Sequence, residues 1–147
     1  NRFPHLKYNI MWWIFALLSA LFAALTAVFA KIGIKGVNTD LATAIRTVVI
    51  LILAWGIAYF RGGTSTMNSL TKNNILFLIL SGVATGLSWI FYFKALQLGK
   101  ISQVAPVDKL SVAIAIIISV AFLGETLSLK MAIGALMIIG GTIVLIL

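Results

Sequence analysis

Five long apolar runs, separated by short links, constrain the fold of this chain more than any other feature. A helix needs about 20 apolar residues to cross a hydrocarbon core roughly 30 Å thick. Inside lipid, a helix also satisfies its own backbone N–H and C=O groups. The sequence therefore predicts an all-α membrane protein with five transmembrane helices and no separate soluble domain. The predicted spans run roughly over Trp12–Ala30, Leu41–Phe60, Ile75–Leu98, Gln103–Leu123 and Leu129–Leu147.

Residues that cap or break helices set the predicted ends of these spans. Thr39 or Asp40 is a candidate N-cap for the second span, and Ser102 is one for the fourth. Pro106 then falls in the first two turns of the fourth span, where its missing N–H does least harm. Gly99 follows the third span and suits a left-handed turn after a helix.

Residues 1–10 differ from the rest of the chain because they are polar and irregular, and the apolar pattern begins abruptly at Met11. We therefore predict that residues 1–10 are a non-native or disordered tail, with Met11 as the candidate natural start. Residues 11–147 are predicted to form a single transmembrane domain.

The charge balance of the chain is strongly basic, with a formal net charge of +8. Membrane proteins place excess Lys and Arg beside lipid headgroups, so we expect lipid rather than nucleic acid to be the partner. We call the side from which the first span enters side A and the opposite side, side B. Alternation across five spans assigns Arg61, Lys72 and Lys130 to side A, and Lys31, Lys35, Lys94 and Lys100 to side B. Three charges against four set no clear orientation, which predicts dual topology.

Three ionisable residues, Arg46, Asp108 and Lys109, lie deep inside the predicted spans, away from their ends. A charge near the bilayer centre costs about 2.5–3.5 kcal/mol even on insertion scales, so we expect these side chains to point inward. Arg46 and Asp108 enter from side B at similar depth, which predicts an ion pair between them. Lys109 is expected to face a polar cavity, because adjacent helical residues point about 100° apart. Two interpretations stay open: a structural ion pair between helices, or a site for a substrate or a proton.

Aromatic side chains with polar tips form a second candidate group on the third span. Trp89 and Tyr92 share a helical face, and they either pack inside the bundle or line a cavity for an organic solute. Glu125 is expected to accept hydrogen bonds from the first N–H groups of the fifth helix, with proton coupling as the alternative. The candidate substrate-binding residues are Arg46, Trp89, Tyr92, Asp108 and Lys109.

Small residues recur in helical register on the third and fifth spans and allow close approach of helices. Those of the third span are assigned first to packing within one subunit, and those of the fifth are the better candidates for contact between subunits. The candidate helix-packing residues are Gly82, Gly86, Pro106, Gly134, Gly140 and Gly141.

Catalytic and metal-binding patterns are missing from the sequence. Cysteine is absent and the single histidine, His5, lies outside every apolar run. The chain contains no P-loop, no pair of catalytic carboxylates and no Ser/His/Asp set. We therefore expect no enzymatic activity, no metal and no cofactor.

The segment 94–147 resembles the EamA-type half of the drug/metabolite transporter superfamily. Lys-Ala-Leu-Gln-Leu-Gly at 94–99, followed by Val-Ala-Pro at 104–106, is similar to that family's junction of the third and fourth helices. Phe-Leu-Gly-Glu at 122–125 resembles its acidic stop after the fourth helix, and the glycines of the last span match its glycine-rich final helix. The stretches 20–35 and 40–49 resemble short five-helix bacterial and archaeal members.

The resemblance implies that residues 11–147 are one EamA-like half-transporter. Longer relatives carry two such units inverted within one chain, so a single unit is expected to form a homodimer, antiparallel by the same logic, with a solute cavity between the copies. It also implies transport of small polar metabolites across the cytoplasmic (inner) membrane of the cell. The balanced loop charges agree with an antiparallel pair.

The expected solute follows from the charges within the spans. No acid lies in Trp12–Ala30, unlike the membrane-embedded glutamate of the small multidrug-resistance relatives, and this argues against proton-coupled export of cationic drugs. Arg46 and Lys109 favour solutes with a carboxylate, such as amino acids. The alternatives are a non-transporting scaffold or accessory subunit, or a translocase for lipids or lipid-linked molecules.

Overall fold

The computed structural model describes the backbone from Pro4 to Leu147 and the side chains from Trp12 onward. Almost all of this part of the chain is helical, and a short 3₁₀ helix, Gly63–Ser69, lies between the second and third helices. The expected tail, residues 1–10, falls on residues whose side chains lie outside this description, so that expectation stays a prediction. The helices are α1 (Pro4–Gly33), α2 (Thr39–Phe60), α3 (Lys72–Leu98), α4 (Ile101–Asp108), α5 (Leu110–Leu123) and α6 (Leu129–Ile146).

Five helical segments of the described chain are long and apolar enough to cross a membrane, which confirms the predicted architecture. α4 and α5 together form the fourth span, Ile101–Leu123. α3 begins at Lys72, three residues before the predicted start at Ile75. Polar residues at this start extend the helix because Thr71 caps it, its side chain accepting a hydrogen bond from Asn74 N at 3.2 Å.

Two predicted N-caps are corrected by the structure. Asn38 caps α2: its Oδ1 atom accepts hydrogen bonds from Asp40 N at 2.8 Å and Leu41 N at 3.2 Å. The predicted caps Thr39 and Asp40 are already helical, since the extended backbone needed at a cap falls one residue earlier. α4 begins at Ile101, so Ser102 lies inside the helix and Lys100 occupies the cap position without a side-chain hydrogen bond.

Two glycines end helices for different reasons. Gly99 has an extended backbone with φ −114°, so the predicted left-handed turn is wrong. Its lack of a side chain is required instead by packing, since an added Cβ would lie 2.9 Å from Val104 Cγ2. Gly124 does adopt the left-handed conformation, with φ 69°, and Glu125 N donates to Ser119 O at 3.3 Å to close the end of α5.

The start of α6 corrects the role predicted for Glu125. Ser128 caps this helix, and its Oγ accepts a hydrogen bond from Met131 N at 3.2 Å. The short, extended Ser128 sits directly at the cap position, whereas Glu125 lies three residues earlier in an exposed link.

The fourth span is interrupted at Lys109, between α4 and α5. Lys109 N donates to Pro106 O at 3.1 Å and to Ala105 O at 3.3 Å, so the turn tightens toward 3₁₀ geometry. The buried Thr142 of α6 places its hydroxyl 3.2 Å from Pro106 O and 2.8 Å from Ile138 O. A neighbouring helix thus supports the carbonyl at the break, as membrane interiors require.

The buried core lies at one end of the molecule, where the side B ends of α1, α2, α3 and α4 meet. Ile34, Phe93 and Leu96 are 3%, 1% and 0% exposed and pack together. Lys31 donates from Nζ to two carbonyl oxygens at the end of α3, Leu96 O and Gly99 O, the second at 2.7 Å. A cation suits the negative end of a helix dipole, so this contact ties α1 to α3. We call this region the packed end.

The side A halves of α1, α2 and α3 form what we call the open half. Large apolar side chains on them are exposed, including Trp12, Phe60 and Phe77 at 66%, 88% and 68%. In a membrane protein, lipid or another subunit covers such surfaces.

Candidate functional site

A cavity of about 280 Å³ lies at the centre of the bundle, where α1, α2, α3 and the break in the fourth span face one another. Every substrate-binding candidate named from the sequence lines it, together with three hydroxyl side chains. The lining side chains with polar groups are Thr26, Arg46, Ser88, Trp89, Tyr92, Asp108, Lys109 and Ser111. The prediction that these residues bind solute stays a prediction, but the cavity gives them a common place to do so.

The Arg46 guanidinium lies over two aromatic rings. Its Cζ atom is 4.3 Å from the centroid of Trp89 and 4.8 Å from that of Phe93. Such cation–π contacts stabilise a partly desolvated cation. Arg46 Nη1 is nevertheless buried and has no hydrogen-bond partner among the described residues. A buried donor without a partner typically costs about 1–3 kcal/mol, and more when it is charged. Arg46, which lines the cavity, therefore carries a buried cationic donor without a partner among the described residues.

The predicted ion pair between Arg46 and Asp108 is not formed. Asp108 Oδ2 instead lies 3.5 Å from Lys109 Nζ. The prediction assumed a continuous helix, in which neighbouring side chains diverge, but α4 ends at Asp108 and Lys109 belongs to the turn. Both side chains remain partly accessible, at 37% and 58%, so this contact leaves them available to a bound solute.

The aromatic group divides between packing and cavity lining. Phe93 is fully buried in the core of the packed end. Trp89 and Tyr92 line the central cavity, as one of the two interpretations of their spacing predicted. Gln97, one turn further on, donates from Nε2 to Val37 O at 3.1 Å and ties α3 to the link before α2.

A larger groove of about 470 Å³ adjoins the central cavity. The two spaces share Ser88, Tyr92 and Asp108, and the groove is otherwise mostly apolar, with Val104, Val107, Phe91 and Ile146 among its lining residues. An extended site with one charged end and one apolar end suits a small organic solute that carries both kinds of group.

Thr26 and Ser111 were not identified from the sequence, although both line the cavity. Ser111 lies three residues after Asp108, a spacing that places both on one helical face and could have revealed it. Thr26 carries no comparable signal, because only the packing of α1 against α3 decides which of its faces points inward.

The glycines of α3 and α6 leave open space at their Cβ positions. At Gly82, Gly86, Gly134, Gly140 and Gly141, an added Cβ would meet nothing within 4 Å outside its own helix. The packing role predicted for these glycines stays a prediction, and their open Cβ positions leave room for another helix. Pro106 does take part in internal packing, through Thr142.

The fold defines this chain as a multi-pass helical membrane protein, and its cavity at a broken helix is typical of membrane transporters. The family model described as the EamA-like transporter family matches residues 10–147. A protein of Sinorhizobium sp named "Uncharacterized transporter in cobO 3'region" is 49% identical over 134 residues, which cover 91% of this chain and 95% of that protein. No solved structure matches the chain. The chain belongs to the EamA-like transporter family and is a membrane transporter.

Proposed function

We propose that this transporter carries small polar solutes with a carboxylate group, such as amino acids, and binds them in the central cavity. The observation that supports this solute class is the buried Arg46 Nη1 atom without a hydrogen-bond partner among the described residues. Buried polar groups in proteins are almost always satisfied, and an exception points to a missing partner. A carboxylate is well matched to an arginine, with which it forms short, charge-assisted hydrogen bonds.

The charges around the cavity support the same solute class. Arg46 and Lys109 supply two cations against the one carboxylate of Asp108, so the polar lining keeps a surplus of positive charge. In a low-dielectric site this surplus attracts an anionic group more strongly than it would in water. Asp108 can in turn hold the ammonium group of a zwitterion, and the adjoining apolar groove can hold its side chain.

We further propose that the working unit is an antiparallel homodimer in the cytoplasmic membrane. The open half exposes large apolar side chains, and the glycines of α3 and α6 leave their Cβ positions unoccupied. Small residues on an apolar face allow close helix contact in lipid. The side A and side B charges are nearly balanced, so two copies of the same chain can insert in opposite orientations.

Uptake into proteoliposomes tests the solute class. The wild-type protein is assayed with a panel of labelled amino acids, their amides and organic cations. We expect carboxylate-bearing solutes to be transported and Arg46→Gln to reduce their uptake by at least tenfold, because the charge-assisted contact is lost. Arg46→Lys, which keeps the charge but not the planar fork, should lie between the two.

Arg61 provides the matched control, since it is an exposed arginine at the side A end of α2. Arg61→Gln should leave uptake unchanged. Preferential uptake of organic cations, or equal uptake of amides and acids, would contradict the proposed solute class. A folded protein that transports no member of the panel would favour the scaffold alternative.

Cysteine crosslinking tests the antiparallel pair, with no background because the chain has no cysteine. Leu129 and Leu98 are exposed at opposite ends of the bundle, at 78% and 82%. One tagged copy carries Leu129→Cys and a differently tagged copy carries Leu98→Cys. Links between these two copies are expected for an antiparallel pair, whereas links only between identical positions would indicate a parallel one.

A further inference from the structure

A basic pocket and an apolar cleft adjoin each other at the packed end, and the inner end of the cleft reaches Thr26 and Arg46 of the central cavity. The pocket, about 340 Å³, is lined by Lys31, Ile34, Lys35, Gly36 and Gln97. The cleft, about 410 Å³, lies between α1 and α2 and shares Ile34 with the pocket. We propose that together they bind one anionic phospholipid, with its phosphate in the pocket and an acyl chain in the cleft.

The cleft has the lining that a hydrocarbon chain requires. α1 and α2 each pack against α3, and the space between them is lined by Phe29, Ile34, Val37, Ile45 and Phe93. It extends along α2 as far as Arg46, seven residues from the start of that helix, which corresponds to a depth of about 10 Å. This depth lies within the hydrocarbon layer, where acyl chains are the surrounding solvent.

The pocket has the charge that a phosphate requires. Lys35 is exposed and makes no hydrogen bond to any described residue. Lys31 uses two of its Nζ–H groups on Leu96 O and Gly99 O, which leaves a third donor. From Trp12 onward, where side chains are described, no carboxylate lines either space. Basic pockets between transmembrane helices are a recurrent binding site for anionic headgroups.

The positions of the pocket and the cleft along the membrane normal favour a lipid over a soluble anion as the ligand. Lys35 follows the last helical turn of α1, just past the apolar span, where headgroups are expected, and the cleft runs from there along α1 and α2 toward the middle of the spans. A phosphate alone would fill the pocket and leave the cleft empty. A phospholipid fills both with one molecule.

Lipid binding is measured on the whole protein in a neutral detergent, by thermal unfolding and native mass spectrometry. Phosphatidylglycerol is compared with phosphatidylcholine of the same acyl chains. We expect phosphatidylglycerol to bind roughly tenfold tighter, because each nearby lysine favours an anionic headgroup. Lys35→Gln should remove most of this preference, and Lys72→Gln, a matched change on side A, should keep it.

The cleft is tested by filling it. Gly33 lines the cleft and an added Cβ there meets nothing within 4 Å, so Gly33→Leu places a side chain in the cleft without a backbone clash. We expect it to weaken phosphatidylglycerol binding at least fivefold. Gly56→Leu, at an equally open glycine of α2 outside the cleft, is the control. Ala42→Leu fills the cleft from α2 and serves as the second variant if Gly33→Leu fails to fold.

Three results would overturn the proposal. Equal binding of the two lipids would show that the lysines do not select the headgroup. Equal stabilisation by glycerol 3-phosphate would show a site for a free phosphate, without a role for the cleft. Loss of subunit pairing in Gly33→Leu, with lipid binding unchanged, would place a second copy of the chain in the cleft.

Discussion

The packed end and the open half of this molecule use the same kinds of residues in opposite ways. Phe93, at the packed end, is 1% exposed, whereas Phe77, in the open half of the same helix, is 68% exposed. Polar contacts differ likewise, since Lys31 and Gln97 bridge separate elements of the packed end, whereas Thr85 bonds only within its own helix. The α3 helix is therefore packed in the core at its side B end and exposed along its side A half.

This difference separates the contacts that stabilise the chain itself from the surface that its surroundings must cover. Burial and charge-assisted contacts at the packed end hold α1, α2, α3 and α4 together. The open half gains little from the subunit itself and depends on lipid or a second copy. The central cavity lies between these two regions, where the fourth span is interrupted. Transporters commonly bind solutes at such broken helices.

The largest expected contrast is between two phenylalanines of α3. Phe93→Ala should destabilise the subunit by about 3–5 kcal/mol, because it leaves a cavity in a packed core. Phe77→Ala removes a ring from an exposed surface and should change stability by less than about 0.5 kcal/mol. Denaturant or thermal unfolding in detergent measures both. Equal losses would show that the open half is packed in solution.

The next effect concerns the Lys31 contact. Lys31→Met removes charge-assisted hydrogen bonds to the end of α3 and should cost about 1.5–3 kcal/mol. Lys35→Met, four residues away and without such bonds, is the control in lipid-free neutral detergent. If the two variants unfold at the same temperature, Lys31 does not tie α1 to α3.

Replacing Gly82 by residues of increasing size tests whether the open half forms an interface with a second copy. An added Cβ meets nothing within 4 Å, so Gly82→Ala should keep the subunit folded and even stabilise α3, by up to about 1 kcal/mol. Gly82→Leu should keep the fold but weaken pairing about tenfold, or about 1.4 kcal/mol, if a second copy packs there. Concentration-dependent light scattering in detergent measures the pairing. Unchanged pairing with leucine would remove this face from the interface.

The smallest effect is expected at the break in the fourth span. Thr142→Val removes the hydroxyl near Pro106 O and should cost about 0.6–1 kcal/mol, as for other hydrogen bonds between membrane helices. Thr85→Val is the control, since Thr85 bonds only to Ser81 O of its own helix. A loss above about 2 kcal/mol would show that the break depends on Thr142 more than its geometry indicates.

The arrangement of helices was predictable because it depends on local properties. Apolar length and helix-ending residues are encoded within each segment, so every span was located within a few residues of its position. The five candidate site residues line one cavity, which agrees with the expectation that charges and polar aromatics inside lipid point inward, and their role in binding a solute stays a prediction. The assignment of the chain to a transporter family, made from the resemblance of its sequence motifs, agrees with the family match.

Partners of individual side chains were decided only by the tertiary structure. Arg46 and Asp108 lie at matching depths, but the packing of α3 places the Trp89 ring beside the Arg46 guanidinium. The helix break at Lys109 places the Lys109 ammonium group next to the Asp108 carboxylate. Gly99 likewise took a role that depends on a neighbouring element, since an added Cβ there would lie 2.9 Å from Val104 Cγ2 of α4. The sequence pattern specifies how deep a side chain lies in the membrane and which face of its helix carries it. A contact between two side chains also depends on how the two helices are rotated relative to each other, and only helix packing sets that rotation.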